Sequence, residues 1–400
     1  SLDHNGIVVE DEVCASLPLI EFDKSISAGP TGNGDGTWTI TYDLVATNTG
    51  QAAGDYDVVD RLQYGEGIVV ESAAVATAPD GVEPNAGWTG QGEAGSEENV
   101  VATAATLEAG ATHTYQVQVV VSLDAATVTP DTLACPEPGS GETGGLANAG
   151  ALTHNGETQD DDVCATLPLL DITKSLSGAV TPVEGEDGVY DVVYEVTVTN
   201  RGPGAGVYDL DDTLAPGEGV TVVGVQGVVT DAPESVGVNE GFDGLEDVRI
   251  VTGQPIAGAG TGPVVHTYTV TVRYAADLSD VEIPDTDVCT TDGGTVPGGL
   301  NNVAAVDWNG IPGQDEECVR PGKPTLDKAL VSARPTGDGT WEVVYDLTVG
   351  NVGGEATTYD LDDELLFAPV ITVDSVAVTG PDGVTLNDGF DGDTDRRIAT

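Results

Sequence analysis

Basic residues are scarce in this chain: 12 in 400, only four of them lysine, against 68 acidic residues and a formal net charge of -56. No basic patch can be assembled from so few cations, which excludes nucleic acid as a partner. Anionic membrane surfaces are disfavoured for the same reason. Long apolar runs are also missing. No stretch approaches the 18 or so residues of a membrane-spanning helix, so no membrane insertion is expected. Ser1-Leu2-Asp3-His4 has neither a basic n-region nor an apolar h-region, so no signal peptide is read at the start. Helical periodicity is missing as well: no 11-residue window carries it.

What is present is enough to build cores. The hydrophobic fraction of 39%, with Val-rich runs, Tyr and Trp, argues against a disordered acidic tail. A surface this acidic suits high salt, which screens self-repulsion, or a calcium-containing exterior.

Self-comparison reveals a period of about 150 residues. PLIEFDKSI around Lys24 returns as PLLDITKSL around Lys174 and PTLDKAL around Lys328. TYDLVATNTG returns as VYEVTVTNRG and VYDLTVGNVG, and DYDVVDRL as VYDLDDTL and TYDLDDEL. Residues 1–20 read as the tail of a preceding repeat, because HNGIVVEDEVC matches HNGETQDDDVC. Residues 21–170 and 171–324 read as complete repeats, and 325–400 as the truncated head of a third. Short Pro-bearing joints (SLPLI, TLPLL, RPGKPTL) favour stiff connections.

Strict alternation dominates each repeat. In Thr37–Asn48, Trp38, Ile40, Tyr42 and Leu44 share one face and polar residues the other. Such runs, bounded by Gly, Asp, Asn and Pro clusters, predict half-buried antiparallel strands. Seven to nine strands per repeat imply an all-β chain of tandem immunoglobulin-like β-sandwiches.

The five cysteines fit an exported protein. Cys135 and Cys164 lie 29 residues apart, as do Cys289 and Cys318, at matching repeat positions. Two intra-repeat disulfides are expected, with the partner of Cys14 outside this sequence. Zinc is the poorer reading, because C-x-x-C spacing is absent.

The lysines carry the sharpest signal. Three of four (Lys24, Lys174 and Lys328) occupy one repeat position in an apolar first strand. Asp60, Asp212 and Asp363 recur behind them, and Asn148 and Asn302 recur in the segment read as the last strand. The strings VTVTNRGPGAGVYDLDDTL, NEGFDGLEDVRIVTGQ and HTYTVTV resemble conserved-repeat modules of bacterial surface proteins. More distantly, the order Lys, Asp, Asn resembles the isopeptide-forming domains of collagen-binding adhesins and pilins. That resemblance implies lysine attack on the asparagine carboxamide, with loss of ammonia, promoted by a protonated acid. It would link Lys24 to Asn148 with Asp60, and Lys174 to Asn302 with Asp212; Lys328 and Asp363 have no asparagine in this sequence. A buried Lys–Asp ion pair is the competing reading. Asp211 and Asp362 precede two of the acids, and Asp43, Glu195 and Asp346 form a second repeated acid. A one-residue slip would turn the face over.

Calcium is the one cofactor considered. NEGFDGLED offers Asn239, Asp243, Glu246 and Asp247, and NDGFDGDTD offers Asn387, Asp391, Asp393 and Asp395. A solvated turn is the competing reading there, as is a solvated acidic edge for Glu10–Glu12, Asp160–Asp162 and Asp315–Glu317. His113 and His266 open the same strand and read as packing or surface residues; no Ser/His/Asp arrangement accompanies them.

The whole predicts an extracellular structural array, a stalk, filament or surface coat, and no turnover enzyme. Its partners would be neighbouring repeats and other copies in a fibre or coat. The alternative is a ligand-binding adhesin module presenting Trp88 or Trp308.

Overall fold

Alternation in the sequence becomes alternation of burial in the structure. Along Thr37–Asn48 every second side chain, from Trp38 to Asn48, is buried, and those between are only partly covered. The computed structural model describes residues 1–233, 236–277, 289 and 299–400. Among these, the one helical element is a single 3-10 turn at Glu97–Asn99.

Residues 1–20 contribute a small hairpin, β1 (Leu2–His4) and β2 (Ile7–Val9). The first complete repeat supplies β3 (Ile20–Gly32), β4 (Thr37–Asn48), β5 (Gly54–Leu62), β6 (Ile68–Thr77), β7 (Val100–Leu107), β8 (Thr112–Leu123), β9 (Asn148–His154) and β10 (Glu157–Val163). They form two antiparallel sheets, ordered β3-β4-β8-β6 and β10-β9-β5-β7. Ile40, Tyr42, Leu44, Val117 and Val119 from one sheet share a core with Tyr56, Val58, Leu107 and Leu152 from the other. Each fully buried Leu or Val of this kind contributes roughly 1.5–3 kcal/mol.

The second repeat builds the same sandwich. Its strands are β11 (Leu170–Leu176), β12 (Thr181–Pro182), β13 (Val189–Asn200), β14 (Gly206–Pro216), β15 (Val220–Thr230), β16 (Arg249–Ile256), β17 (Val264–Ala276), β18 (Leu300–Trp308) and β19 (Ile311–Glu317). The sheets run β11-β13-β17-β15 and β16-β14-β18-β19, with β12 added beside β13. Residues 324–400 contribute the hairpin β20 (Pro324–Gly337) and β21 (Thr340–Asn351) and a short pair, β22 (Leu361–Asp362) with β23 (Arg397–Ala399). The chain is thus all-β, built of antiparallel sandwiches.

One expectation needs correction. Asn148 and Asn302 are not on the last strand of their repeats. Asn148 opens β9 and Asn302 is the third residue of β18, both inside the sheet, and the acid-rich β10 and β19 follow as edge strands. The hairpins turn tightly at Asn155-Gly156 and Asn309-Gly310, all four at positive φ, so the chain returns along the sheet at once.

The two complete repeats meet through one such hairpin. Asn309 Oδ1 accepts from the Gly34 N–H at 2.6 Å, and its Nδ2 donates to the Thr37 carbonyl at 2.8 Å. The Asn309 carbonyl accepts from Gly36 N–H at 2.6 Å. A Cβ on Gly310 would lie 2.5 Å from the Gly34 carbonyl oxygen, so only glycine fits that close approach.

Candidate functional site

Period-two geometry decides which residues of the repeated motif face inward. On β3, Ile20 and Lys24 are buried at the same face. On β5, Tyr56, Val58, Asp60 and Leu62 point inward, and on β9 so do Asn148, Gly150 and Leu152. An amine, a carboxylate and a carboxamide are thereby delivered to one core from three strands and both sheets. Lys174, Asp212 and Asn302 repeat the arrangement from β11, β14 and β18.

In the second repeat Lys174 Nζ donates to Asp212 Oδ1 at 2.6 Å, and Asn302 Nδ2 donates to Asp212 Oδ2 at 3.1 Å. Both lysine and aspartate side chains are fully buried. In the first repeat Lys24 Nζ donates to Asp60 Oδ1, and Asn148 Nδ2 to Asp60 Oδ2 at 3.1 Å. Amine and carboxamide therefore sit on the two oxygens of a single carboxylate, in both copies. In the third, Lys328 Nζ donates to Asp363, but its side chain is 35% exposed.

Facing decides which carboxylate meets the lysine. Asp211 points to the other side of β14 and pairs with Arg249 Nε at 2.6 Å. Asp43 is on the outer face of β4, where its Oδ1 accepts from Gln116 Nε2 at 3.0 Å.

Burial shapes the proton affinities. Desolvation holds the Lys24 and Lys174 amines below the usual lysine range, and the neighbouring Asp60 and Asp212 carboxylates offset it only in part. Desolvation likewise pushes Asp212 up, against the pull of Lys174. At Lys174 and Asp212 both shifts run in the direction of a neutral amine beside a carboxylic acid. The carbonyl oxygens Asn148 Oδ1 and Asn302 Oδ1 are buried without a hydrogen-bond partner. Rotating the carboxamide by half a turn would aim that oxygen at the acid, which can donate once protonated. An orphaned acceptor beside a protonatable donor is the geometry that polarises an amide.

Tyrosines complete the pocket and were not anticipated. Lys24 Nζ lies 5.1 Å from the Tyr42 ring centroid, Lys174 Nζ 5.0 Å from Tyr194, and Lys328 Nζ 4.8 Å from Tyr345. The Tyr42 and Tyr194 hydroxyls donate to the Leu146 and Leu300 carbonyls at 3.0 and 2.7 Å, tying the pocket to the segment that carries the asparagine. Their signal was in the sequence, since each tyrosine directly precedes the second repeated acid.

Disulfides Cys135–Cys164 and Cys289–Cys318 have S–S distances of 2.02 and 2.11 Å, and Cys14 is exposed and unbonded. Cys164 directly follows β10 and Cys318 directly follows β19, so each disulfide ties the exit of the last strand to the segment before β9 or β18.

The two tryptophans considered as ligand contacts are not available for that role. Trp88 is buried, its Nε1 donating to the Asp60 carbonyl at 3.0 Å, and Trp308 is buried against Trp38. Six of the eight side chains weighed as calcium ligands, all but Glu246 and Asp393, are engaged in closing their own loops. Asp243 Oδ1 accepts from the N–H groups of Leu245, Glu246 and Asp247, and Asp391 Oδ1 from those of Asp393, Thr394 and Asp395. Asn239 Nδ2 and Asn387 Nδ2 reach Asp247 and Asp395. The first repeat closes the matching turn with Asn85 Oδ1 accepting from Gly87 N–H at 2.9 Å and no carboxylate. Among the described residues no group of three or more His, Cys, Asp or Glu is placed to hold a metal. His113 and His266 each contact a tyrosine pair, with Nδ1 2.8 Å from Tyr56 Oη and 2.9 Å from Tyr208 Oη.

No sequence-family profile matches the chain, and no curated protein matches it in sequence. The solved structures that resemble the chain include the following three. A 35 kDa C-terminal fragment of the major pilin of Streptococcus agalactiae is 11% identical at a TM-score of 0.23, covering 74% of this chain and 87% of the fragment. The BSP domain of a biofilm-associated protein is 8% identical at 0.17, covering 74% and 58%. Red sea bream transglutaminase is 11% identical at 0.19, covering 75% of this chain, which spans only 31% of the enzyme's length. Scores this low leave the chemistry of the chain to be argued from its own residues.

Proposed function

We propose that the chain is part of an extracellular structural array of tandem β-sandwich repeats, each stapled by a disulfide and by a Lys–Asn isopeptide bond. The observation that carries this reading is the buried Lys174–Asp212–Asn302 triad and its copy at Lys24–Asp60–Asn148. Burial explains why an ion pair alone is a poor use of these residues, since desolvating two charges costs several kcal/mol each. A covalent fate removes the charges.

The step is an aminolysis. The neutral lysine nitrogen attacks the asparagine carbonyl carbon while the protonated aspartate donates to the carbonyl oxygen. A C–N bond forms, the carboxamide C–N bond breaks, and ammonia leaves carrying the proton that the lysine nitrogen releases through the aspartate. The acid is returned unchanged. Each site reacts once, so the chain has no turnover to offer a free substrate.

Two disulfides and the sandwich fold support a place outside the cell, where thiols stay oxidised. Peptide mapping of the reduced chain tests the linkage. A branched peptide containing Lys174 and Asn302 is expected; recovery of both as separate linear peptides would reject it.

A further inference from the structure

We propose that Asp161 and Asp315 are positioning residues for this linkage, each holding the reacting lysine by its own backbone; the inference rests on the isopeptide reading. The Lys24 main-chain N–H donates to Asp161 Oδ2 at 2.7 Å, and the Lys174 main-chain N–H donates to Asp315 Oδ2 at the same distance.

The need for such a clasp follows from the topology. The lysine strand is the edge of its sheet, paired on one side only: β3 with β4, and β11 with β13. Its other side faces β10 or β19, which belongs to the opposite sheet and forms no ladder with it. Outward N–H groups on that edge have no carbonyl to meet. In the first repeat Gln159 of β10 holds the same edge, accepting from the Phe22 N–H at 3.2 Å and donating to the Ile20 carbonyl at 2.7 Å, and Asp161 adds the contact at the lysine itself, against slip relative to the strands carrying acid and carboxamide. A slip of this kind is costly, because about 1 Å of misplacement can cost 10²-fold in rate.

The clasp is itself anchored. Asp161 and Asp315 stand three residues before Cys164 and Cys318, and the matching position before Cys14 is Asp11. The position before it varies, as Glu10, Asp160 and Gln314. The disulfide fixes one end of the clasping strand and the Asn-Gly hairpin fixes the other. The acidic triplet is therefore more than a solvated edge.

Charge gives the clasp a second consequence. Facing the Lys24 amine are Asp60 from β5, Tyr42 from β4 and Asp161 from β10; facing Lys174 are Asp212, Tyr194, Asp315 and Glu317. The Asp161 carboxylate favours the protonated amine, opposing burial. Asparagine at this position keeps an acceptor oxygen but removes the charge, so position and charge can be separated.

The test follows formation of the Lys24–Asn148 branched peptide over time in the full chain, obtained unlinked by synthesis in denaturant-solubilised inclusion bodies and then folded at a series of pH values. Asp161→Ala should slow it on the order of tenfold to a hundredfold. Asp161→Asn should react at near the native rate, with the rise in rate beginning at lower pH. The exposed Asp160→Ala should change neither. Native rate and native pH profile in both Asp161 variants would overturn the positioning role. If Asp161→Ala fails to refold, the pH profile of Asp161→Asn decides alone. Absence of the branched peptide from the native chain would overturn the linkage and the positioning role with it. Hydrogen exchange at the Lys24 amide would then still report whether Asp161 clasps it.

Discussion

The rings of Trp38 and Trp308 lie with centroids 5.9 Å apart, one from each complete repeat, both buried where the Asn309 hairpin meets the Gly34–Thr37 turn. Neither tryptophan would be sheltered if the repeats swung freely. The joint combines aromatic contact with two side-chain hydrogen bonds from one asparagine. Asn309→Ala removes both, each worth about 0.5–1.5 kcal/mol. Spin labels placed on the two repeats should show a narrow distance distribution in the native chain and a broadened one in the variant. Equal widths would mean that the asparagine does not hold the joint.

Breaking the buried pair from one side should be costly. Asp212→Ala leaves the Lys174 ammonium without its carboxylate and blocks the linkage, so a loss of about 3–5 kcal/mol is expected. Lys174→Met combined with Asp212→Leu should recover much of it, because neither charge then needs a partner. Denaturant melts of the two variants compare them directly. Identical midpoints would place the pair in water and contradict its burial.

Much of this site is legible in the sequence, for definite reasons. Alternation assigned Trp38, Ile40, Tyr42 and Leu44 to one face, and their burial follows from it. The triad stood out because lysine is rare and recurs in register. Other parts leave no periodic trace. Whether Asp211 or Asp212 faces the core depends on register, and Arg249 on β16 is what receives the outward acid. Asp161 acts through a side-chain to main-chain bond across two sheets, 137 residues from its partner, and a charge run gives no hint of that. Trp88 and Trp308 read as exposed candidates because they vary between repeats. In the fold both are buried, Trp88 against Asp60 and Trp308 against Trp38.

The disulfides should contribute independently of the triad. Each closes a 29-residue separation, for which the chain-entropy model gives about 3.5 kcal/mol. Cys135→Ser with Cys164→Ser should lower first-repeat stability by that order in urea unfolding, leaving the second repeat unchanged. A loss shared by both repeats would mean that they unfold as one unit.

Stability should fall as the solution is made mildly acidic. His266 is buried, and desolvation holds its pKa below the ordinary imidazole value, with Asp231 partly offsetting. The unfolded chain therefore takes up the proton first, from about pH 6.5 downward, and folding loses free energy through that window until the folded-state value is passed. His266→Gln should flatten the dependence between pH 7 and 5. An unchanged slope would assign it to other groups.

The central claim is that lysine and asparagine are joined, and intact mass answers it most directly. The reduced, fully denatured chain should weigh less than its sequence by two ammonia molecules, about 34 Da. Lys24→Ala and Lys174→Ala should each fall short of their own sequence mass by one ammonia only, and the double variant by none. A native chain weighing what its sequence dictates would contradict the account, leaving two buried ion pairs in place of two bonds.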